Sequence, residues 1–250
     1  MPFTPAHAAA ALPVRRLWPR LPLSALVIGT MSPDFEYFLR LAPAGRLAHS
    51  FAGIAVFCVP AGLIVWGLFT LLVRPALVDV LPDGLARSLP PARTSLLAAT
   101  LAIAIGALSH LMWDSFTHAH DWTVTHWPAL RAPVAPRLLP GLEWYKLLQH
   151  VSTAVGLAVL LAAVIYWVRA TPLGARQFRA GQDRDALRVL GLTLATGVVG
   201  TLLNGVRGVG EGVEQVATLG AVGGMLGVGV GLLGVGVWHA WQGRRTDRTS

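Results

Sequence analysis

The feature that most constrains the fold of this 250-residue chain is a series of long, uncharged, apolar stretches. Phe51–Val73 contains no charged residue and is longer than the roughly 20 apolar residues that cross a lipid bilayer. Ser95–Trp113, Val151–Val168 and Val216–Val237 have the same character, and only the first of them holds a histidine, His110. The four stretches predict four membrane-spanning helices.

Two weaker stretches raise the predicted number of helices. Leu187–Leu203 carries Arg188 near its start, and Leu21–Met31 is too short to cross a bilayer unless flanking residues extend it. Charged residues make up only 13% of the chain, and its mean hydropathy is +0.59. We therefore predict an all-α, polytopic integral membrane helix bundle with about five or six membrane helices, in contact with membrane lipids.

The formal net charge of +8 raises the possibility of a nucleic-acid partner. The Lys and Arg residues, however, lie in the connections between apolar stretches, where they contact anionic headgroups and set the orientation. The sequence has no basic stripe with interleaved aromatic residues, so we predict no nucleic-acid partner. The single cysteine, Cys58, lies inside a predicted span and can form no intrachain disulfide.

The chain divides by composition into three parts. Residues 1–168 form a predicted membrane domain with polar residues near the ends of its spans. Residues 169–186 form a predicted basic linker, and residues 187–243 form a predicted glycine-rich pair of membrane helices. Glycines recur at near-fourfold spacing in the last span, which allows membrane helices to approach closely. This spacing favours packing within the chain, and contact between copies in a homo-oligomer is the alternative.

Three ionisable residues are spaced by four at the end of the second span: His110, Asp114 and His118. On a continuous helix they project from one face, and His110 and Asp114 lie close enough to share a metal ion. His110 and His118 would lie about 12 Å apart along the axis, too far to share one ion. His118 is therefore predicted to serve a second metal or to transfer protons. The alternative for the His110–Asp114 pair is an ion pair that stabilises the helix end.

The order of the spans brings further polar residues to the same membrane face. Asp34 and His49 precede the first long span, and His150 precedes the third. Two crossings return the chain to the starting side, so these residues share a face with His110 and Asp114. Taken singly, Asp34 is explained as a carboxylate in the first turn of a helix, and His49 as a headgroup contact beside a helix cap. Taken together, these residues predict a metal site.

Four short motifs resemble known membrane proteins: Thr4–His7, Gly29–Glu36, Ala48–Ser50 and Gly106–Asp114. The chain resembles an uncharacterised family of bacterial integral membrane proteins that begin Met-Pro-Phe-Thr-Pro-x-His. It is more distantly similar to inner-membrane, LexA-regulated proteins classed as metal-dependent hydrolases. The resemblance covers roughly residues 1–155. The hydrolase group tends to have an aspartate where this chain has Glu36, and a basic motif found in that group is absent here.

The resemblance implies a set of five metal ligands: His7, Asp34, His49, His110 and Asp114. His150 is a possible additional site residue, and Glu36 and His118 are the candidate catalytic residues that would accept a proton. Mixed imidazole and carboxylate ligands suit zinc, with manganese or iron as alternatives. A bound cation of this kind would activate water for hydrolysis.

These expectations favour a membrane-embedded metal-dependent hydrolase in the bacterial cytoplasmic (inner) membrane. Its place at the bilayer edge suggests a lipid or lipid-linked ester or phosphoester as substrate. The alternative is a non-catalytic scaffold or small transporter with a structural metal or polar cluster, although transporter sites usually lie at mid-membrane. If Leu21–Met31 crosses the membrane, the distribution of Lys and Arg places the site on the outer face.

Overall fold

The computed structural model describes residues 3–89, 94–135, 137–172, 177–178 and 180–246, with the side chains of 243–246 excepted. Within these ranges the regular secondary structure is helical, and one isolated bridge joins Pro133 to Glu143. The predicted all-α fold is confirmed. Residues 173–176 and 179, part of the predicted basic linker, lie outside the described residues.

Ten α-helices are named here in chain order, within the described residues. They are α1 (Ala11–Leu17), α2 (Leu23–Met31), α3 (Phe35–Arg40), α4 (Phe51–Val80), α5 (Asp83–Ser88), α6 (Leu96–Asp114), α7 (Trp122–His126), α8 (Trp144–Ala170), α9 (Gln182–Gly205) and α10 (Val213–Thr246). Shorter 3₁₀ helices cover Thr4–Ala10, Ser32–Asp34, Pro128–Arg131 and Val206–Gly208.

Five of these helices are long and apolar enough to cross a membrane, and each contains one of the five long predicted stretches. They are α4, α6, α8, α9 with its 3₁₀ extension, and α10. The protein is therefore a membrane protein. Leu21–Met31, the sixth candidate, is largely helical as α2, but α2 has only 9 residues. At about 1.5 Å per residue it is too short to cross a bilayer by itself.

The chain forms two compact units. The first comprises Met1–Phe35, Arg46–Leu63 and Arg93–Trp167, and the second comprises Glu36–Gly45, Ile64–Ala92 and Val168–Ser250. All the candidate metal ligands belong to the first unit.

In the first unit, α2 packs closely against α6 because two glycines lie at their contact. A Cβ atom at Gly106 would lie 2.6 Å from both the Leu26 carbonyl oxygen and the Thr30 nitrogen. A Cβ atom at Gly29 would lie 2.6 Å from the Ile103 Cα. Only glycine allows the two backbones to approach this closely. The contact brings the end of α2 to the end of α6.

The N-terminal 3₁₀ helix Thr4–Ala10 is held against α8 in a similar way. A Cβ atom at Gly156 would lie 2.7 Å from the Ala6 carbonyl oxygen. The Phe3 backbone N–H also donates to Thr153 Oγ1 at 3.0 Å. These contacts fix the position of His7 near the end of α6.

Helix α4 contains two π-helical segments, Ile54–Cys58 and Phe69–Val73. Each is followed within two residues by a proline, Pro60 or Pro75. Proline lacks the N–H that would bond to the carbonyl four residues earlier, and its ring clashes with that carbonyl. In both cases that carbonyl lies inside the π segment, whose wider turns relieve the clash.

In the second unit, α9 and α10 pack through their small residues. A Cβ atom at Gly223 would lie 2.9 Å from the carbonyl carbon of Gly200. Asn204 donates a hydrogen bond of 2.6 Å to the Leu219 carbonyl across the same contact. The glycines of α10 therefore serve a close contact within the chain, and homo-oligomer formation through this pair of helices stays a prediction.

The structure corrects the prediction that His118 continues the helix of His110. Helix α6 ends at Asp114. The Ser115 N–H still bonds to the carbonyl four residues back, but the N–H groups of Phe116 and Thr117 bond to carbonyls three residues back. The Ser115 hydroxyl donates to the Met112 carbonyl, a local bond that competes with helix continuation. The predicted 12 Å axial separation between His110 and His118 assumed one continuous helix through both residues, and that assumption is wrong.

Candidate metal centre

The close contact between α2 and α6 fixes the orientation of the His110 ring. His110 is fully buried, and its Nδ1 lies 2.7 Å from the Thr30 carbonyl oxygen. A carbonyl can only accept, so Nδ1 carries the proton and donates it. Nε2 is then the ring nitrogen that faces the carboxylates of the cluster, the arrangement found in metal-ligating histidines.

Asp34 is oriented by a residue from the N-terminal 3₁₀ helix. The Thr4 hydroxyl donates to Asp34 Oδ2 at 2.5 Å, and both residues are buried. This bond occupies one carboxylate oxygen and directs the other, Oδ1, towards His49 and His110. Its distances to the Nε2 atoms of these two residues are 3.3 and 3.6 Å.

The start of α4 positions His49. Ser50 caps this helix, because its Oγ accepts from the Gly53 N–H at 2.9 Å. Ala48 is buried against Cys58 and Ala107. The helix cap expected beside His49 therefore exists and is formed by Ser50, and the half-buried His49 ring nevertheless reaches the carboxylates.

His7 completes the cluster by stacking on the His110 ring. The two imidazoles stack with ring centroids 3.8 Å apart, and His7 Nε2 lies 3.4 Å from Asp114 Oδ1. Burial, assisted by the neighbouring His110, lowers the pKa of His7 to about 4. Its imidazole is therefore neutral near pH 7 and has a lone pair available for a metal.

The five predicted ligands form two overlapping groups. His7, His110 and Asp114 offer ligand atoms within 4.8 Å of one another, and so do Asp34, His49 and His110. His110 Nε2 lies 3.1 Å from Asp114 Oδ2, and His49 Nε2 lies 3.9 Å from the same oxygen. All five residues therefore surround one small volume.

The separations within the cluster fit a shared cation. Zinc binds imidazole nitrogen and carboxylate oxygen at about 2.0–2.2 Å, so two ligand atoms of one ion lie roughly 3.0–3.5 Å apart. The shortest nitrogen–oxygen distances of the cluster are 3.1, 3.3, 3.4 and 3.6 Å. The geometry of the donor set is therefore compatible with a metal ion.

The buried polar atoms of the cluster support this interpretation. Among the described residues, several of them make no hydrogen bond, including His7 Nε2, Asp34 Oδ1, His110 Nε2, Asp114 Oδ1 and Asp114 Oδ2. The ion pairs described for the two aspartates are with histidines only. Two buried carboxylates cost several kcal/mol each unless positive charge compensates them. A divalent cation supplies that charge and the missing partners together.

Residues 1–237 match the family described as "Domain of unknown function (DUF4184)". This chain belongs to the DUF4184 family. No match was found among curated proteins or among solved structures. The predicted membership of an uncharacterised family is therefore confirmed. The match extends beyond the predicted residues 1–155 and includes the glycine-rich helices.

His118 lies beside the ligand groups in this DUF4184 protein and belongs to neither. The turn after α6 brings its Nδ1 to 3.0 Å from the Asp114 carbonyl oxygen and 3.6 Å from Asp114 Oδ2. The side chain is 26% exposed. His118 and His110 thus approach the same carboxylate, His110 from inside the cluster and His118 from its partly open edge.

Glu36 and His150 are not members of the ligand groups either. Glu36 Oε1 accepts two hydrogen bonds from the Arg40 guanidinium, at 2.7 and 2.9 Å, and belongs to the second unit. His150 lies on α8 and is exposed. Their functional roles stay predictions.

Sequence reasoning missed the residues that position the ligands. Thr4 orients Asp34, and the Thr30 carbonyl orients His110; Gly29, Gly106 and Gly156 allow the backbones to approach. Four of the five lie inside the motifs that carry the family resemblance. The only signal in the sequence for these positioning residues was the presence of threonine and glycine near the ligands. Such residues are common in membrane helices, so their presence does not indicate this role.

Proposed function

We propose that this protein is a membrane-embedded metal-dependent hydrolase, with His7, Asp34, His49, His110 and Asp114 as metal ligands. The observation that carries the proposal is the convergence of buried nitrogen and carboxylate oxygen atoms that make no hydrogen bond. The distant resemblance to LexA-regulated metal-dependent hydrolases supports the same activity. Zinc is the proposed metal, with manganese or iron as alternatives.

A divalent cation bound here would lower the pKa of a water molecule and polarise a carbonyl or phosphoryl group. The chain must then supply a group that accepts the proton. His118 is suited to this because its Nδ1 donates to the Asp114 carbonyl, which leaves Nε2 as the basic nitrogen. Glu36 is less suited, since its carboxylate already pairs with Arg40.

The substrate class follows from the location of the site. A cavity of about 370 Å³ reaches His49 and Asp114 and is also lined by Asp121 and Thr123. It lies at the end of α6, a helix long enough to cross a membrane. We propose a lipid or lipid-linked ester or phosphoester as substrate, hydrolysed at the edge of the bacterial cytoplasmic membrane. Helix α2 is too short to cross the membrane by itself, so the condition for the outer-face prediction is not met and we propose no side.

Metal analysis of the detergent-purified protein tests this function. We expect bound zinc, manganese or iron at one or more ions per chain, and hydrolysis of a phospholipid or lipid phosphate that chelation abolishes and metal restores. A protein that neither contains nor takes up metal would contradict the metal site. Full metal occupancy without hydrolysis across a panel of lipid esters and phosphoesters would favour the non-catalytic scaffold.

Replacing His118 by glutamine should separate catalysis from metal binding. We expect His118→Gln to keep its metal and to lose about 10²–10⁴-fold in turnover, the usual contribution of a positioned general base. His126→Gln is the matched control, because His126 Nδ1 also contacts a carbonyl four residues back, that of Trp122, at 2.7 Å. Equal turnover of the two variants would exclude His118 as the proton acceptor.

A further inference from the structure

A second, larger cavity adjoins the metal centre on the side of His7. Its volume is about 690 Å³, within the range of roughly 300–1,000 Å³ that is typical of ligand pockets. It is lined by the N-terminal 3₁₀ helix, α1, α6 and α8. Apart from His7, Ser109 and Ser152, the side chains that line it are apolar.

Part of the wall of this cavity lies on α6 and α8, two helices that are long enough to cross the membrane. Met112 and Trp113 are near the end of α6, and Val151 and Val155 are near the start of α8. These four side chains are 46–59% exposed, so they also form part of the outer surface of the helices. In a bilayer this surface faces the surrounding lipid, so lipid chains lie next to residues that line the cavity.

We propose that this cavity binds one hydrocarbon chain of a membrane lipid, with the polar group of the lipid held at the metal centre. This inference rests on the proposed hydrolase function for the role of the polar group. The lining offers almost no hydrogen-bonding partners, so a headgroup or a peptide backbone would be buried there at a cost. A hydrocarbon chain has no such groups, and the surrounding bilayer supplies it.

The two cavities reach different residues of the metal cluster, and this difference defines the orientation of the bound lipid. The larger one reaches His7, whereas the smaller one reaches His49 and Asp114. Met112 lines both. A lipid with its chain in the larger cavity would therefore place its ester or phosphoester at the ligands. Its polar end would face the smaller cavity, beside Asp121.

Photo-crosslinking in vesicles tests the chain site. The probe is a phosphatidylethanolamine with a diazirine midway along one acyl chain, in phosphatidylethanolamine–phosphatidylglycerol vesicles that contain the full-length protein. We expect labelled peptides from the ends of α6 and α8 that line the cavity. Val155→Trp fills the cavity and should lower this labelling roughly tenfold, equivalent to about 1.4 kcal/mol of binding.

Val164→Trp is the matched control, since Val164 lies further along α8, is 53% exposed and does not line the cavity. Val151→Trp provides a second test if Val155→Trp folds poorly. Equal labelling of wild type and a folded cavity variant would overturn the chain site.

Metal content separates this inference from the proposed function. Val155→Trp should keep wild-type metal, whereas a variant of a metal ligand should lose metal and still be labelled by the lipid. Cavity labelling in a protein that binds no metal would support the chain site and contradict the hydrolase. If the protein binds metal but the cavity residues are labelled no more than the exposed surface of α8, the chain site would be contradicted and the proposed hydrolase would not.

Discussion

Asp114→Asn is expected to purify with less than about one tenth of the wild-type metal content, because loss of a ligating charge typically costs orders of magnitude in metal affinity. Asp114 presents one oxygen to His7 and the other to His110 and His49. His118 also lies 3.6 Å from the second oxygen, so Asp114 is within 4 Å of four histidines, whereas Asp34 pairs with two. Asparagine keeps the size of the side chain but removes its charge and one acceptor. The overall fold should therefore survive while the metal is lost.

Asp79→Asn is the matched control for this experiment. Asp79 also pairs with a histidine, His239, at 2.5 Å, but its side chain is 63% exposed and belongs to the second unit. Metal content is measured by inductively coupled plasma mass spectrometry on detergent-purified protein, with thermal unfolding as the check on folding. A folded Asp114→Asn variant with wild-type metal content would refute the proposed ligand set.

Gly106→Ala is expected to lower the free energy of unfolding, although the same change usually stabilises a helix. Alanine in a helix is favoured over glycine by about 0.5–1 kcal/mol. At Gly106, however, the new Cβ would lie 2.6 Å from the Leu26 oxygen and the Thr30 nitrogen. Forcing extra volume into a close contact costs about 1–3 kcal/mol. Displacement of α2 would also break the bond from His110 to Thr30, so metal affinity should fall as well.

Gly67→Ala is the control variant, and its expected effect on the free energy of unfolding has the opposite sign. Gly67 lies within α4 and has no heavy atom within 4 Å of an added Cβ, so alanine should raise the unfolding temperature slightly. Unfolding in detergent and metal content are measured for both variants. If Gly106→Ala were as stable as Gly67→Ala and bound metal normally, the close contact between α2 and α6 would be unimportant for the site.

The membrane helices were predictable from the sequence because their signal is local. A stretch such as Phe51–Val73 lacks charged side chains over a length that matches the bilayer, and no tertiary information is needed to recognise it. The structure extends this stretch to Val80 as α4, beyond Arg74 and Asp79. Charged residues at helix ends are tolerated near the headgroups, so charge alone does not locate the end of a helix.

The convergence of Asp34, His49, His110 and Asp114 was predictable in outline. The order of the spans indicated a common face, and the family resemblance supplied His7. The end of α6 was not predictable by spacing, because regular periodicity assumes a continuous helix. Tight turns follow α6 after Asp114, and His118 lies just beyond them with its Nδ1 3.6 Å from the Asp114 carboxylate.

The roles of Thr4 and Thr30 depend on contacts between residues distant in sequence. Thr4 bonds to a residue 30 positions away, and Thr30 to one 80 positions away. Neither pairing leaves a periodic signal in the sequence. The helix packing that creates them is governed by Gly29 and Gly106, whose importance becomes visible only when the opposing backbone atoms are known.

The contact between α2 and α6 also limits how this site can change during evolution. The atoms that a side chain at position 106 would meet belong to the backbone of Leu26, Gly29 and Thr30. A clash with a neighbouring side chain can be relieved by replacing that neighbour with a smaller residue. A clash with a backbone atom cannot, because no substitution removes the backbone atom. A substitution at a second site therefore cannot relieve the clash at position 106. A lineage that loses Gly106 can recover the ligand geometry only by reversion or by moving a whole helix.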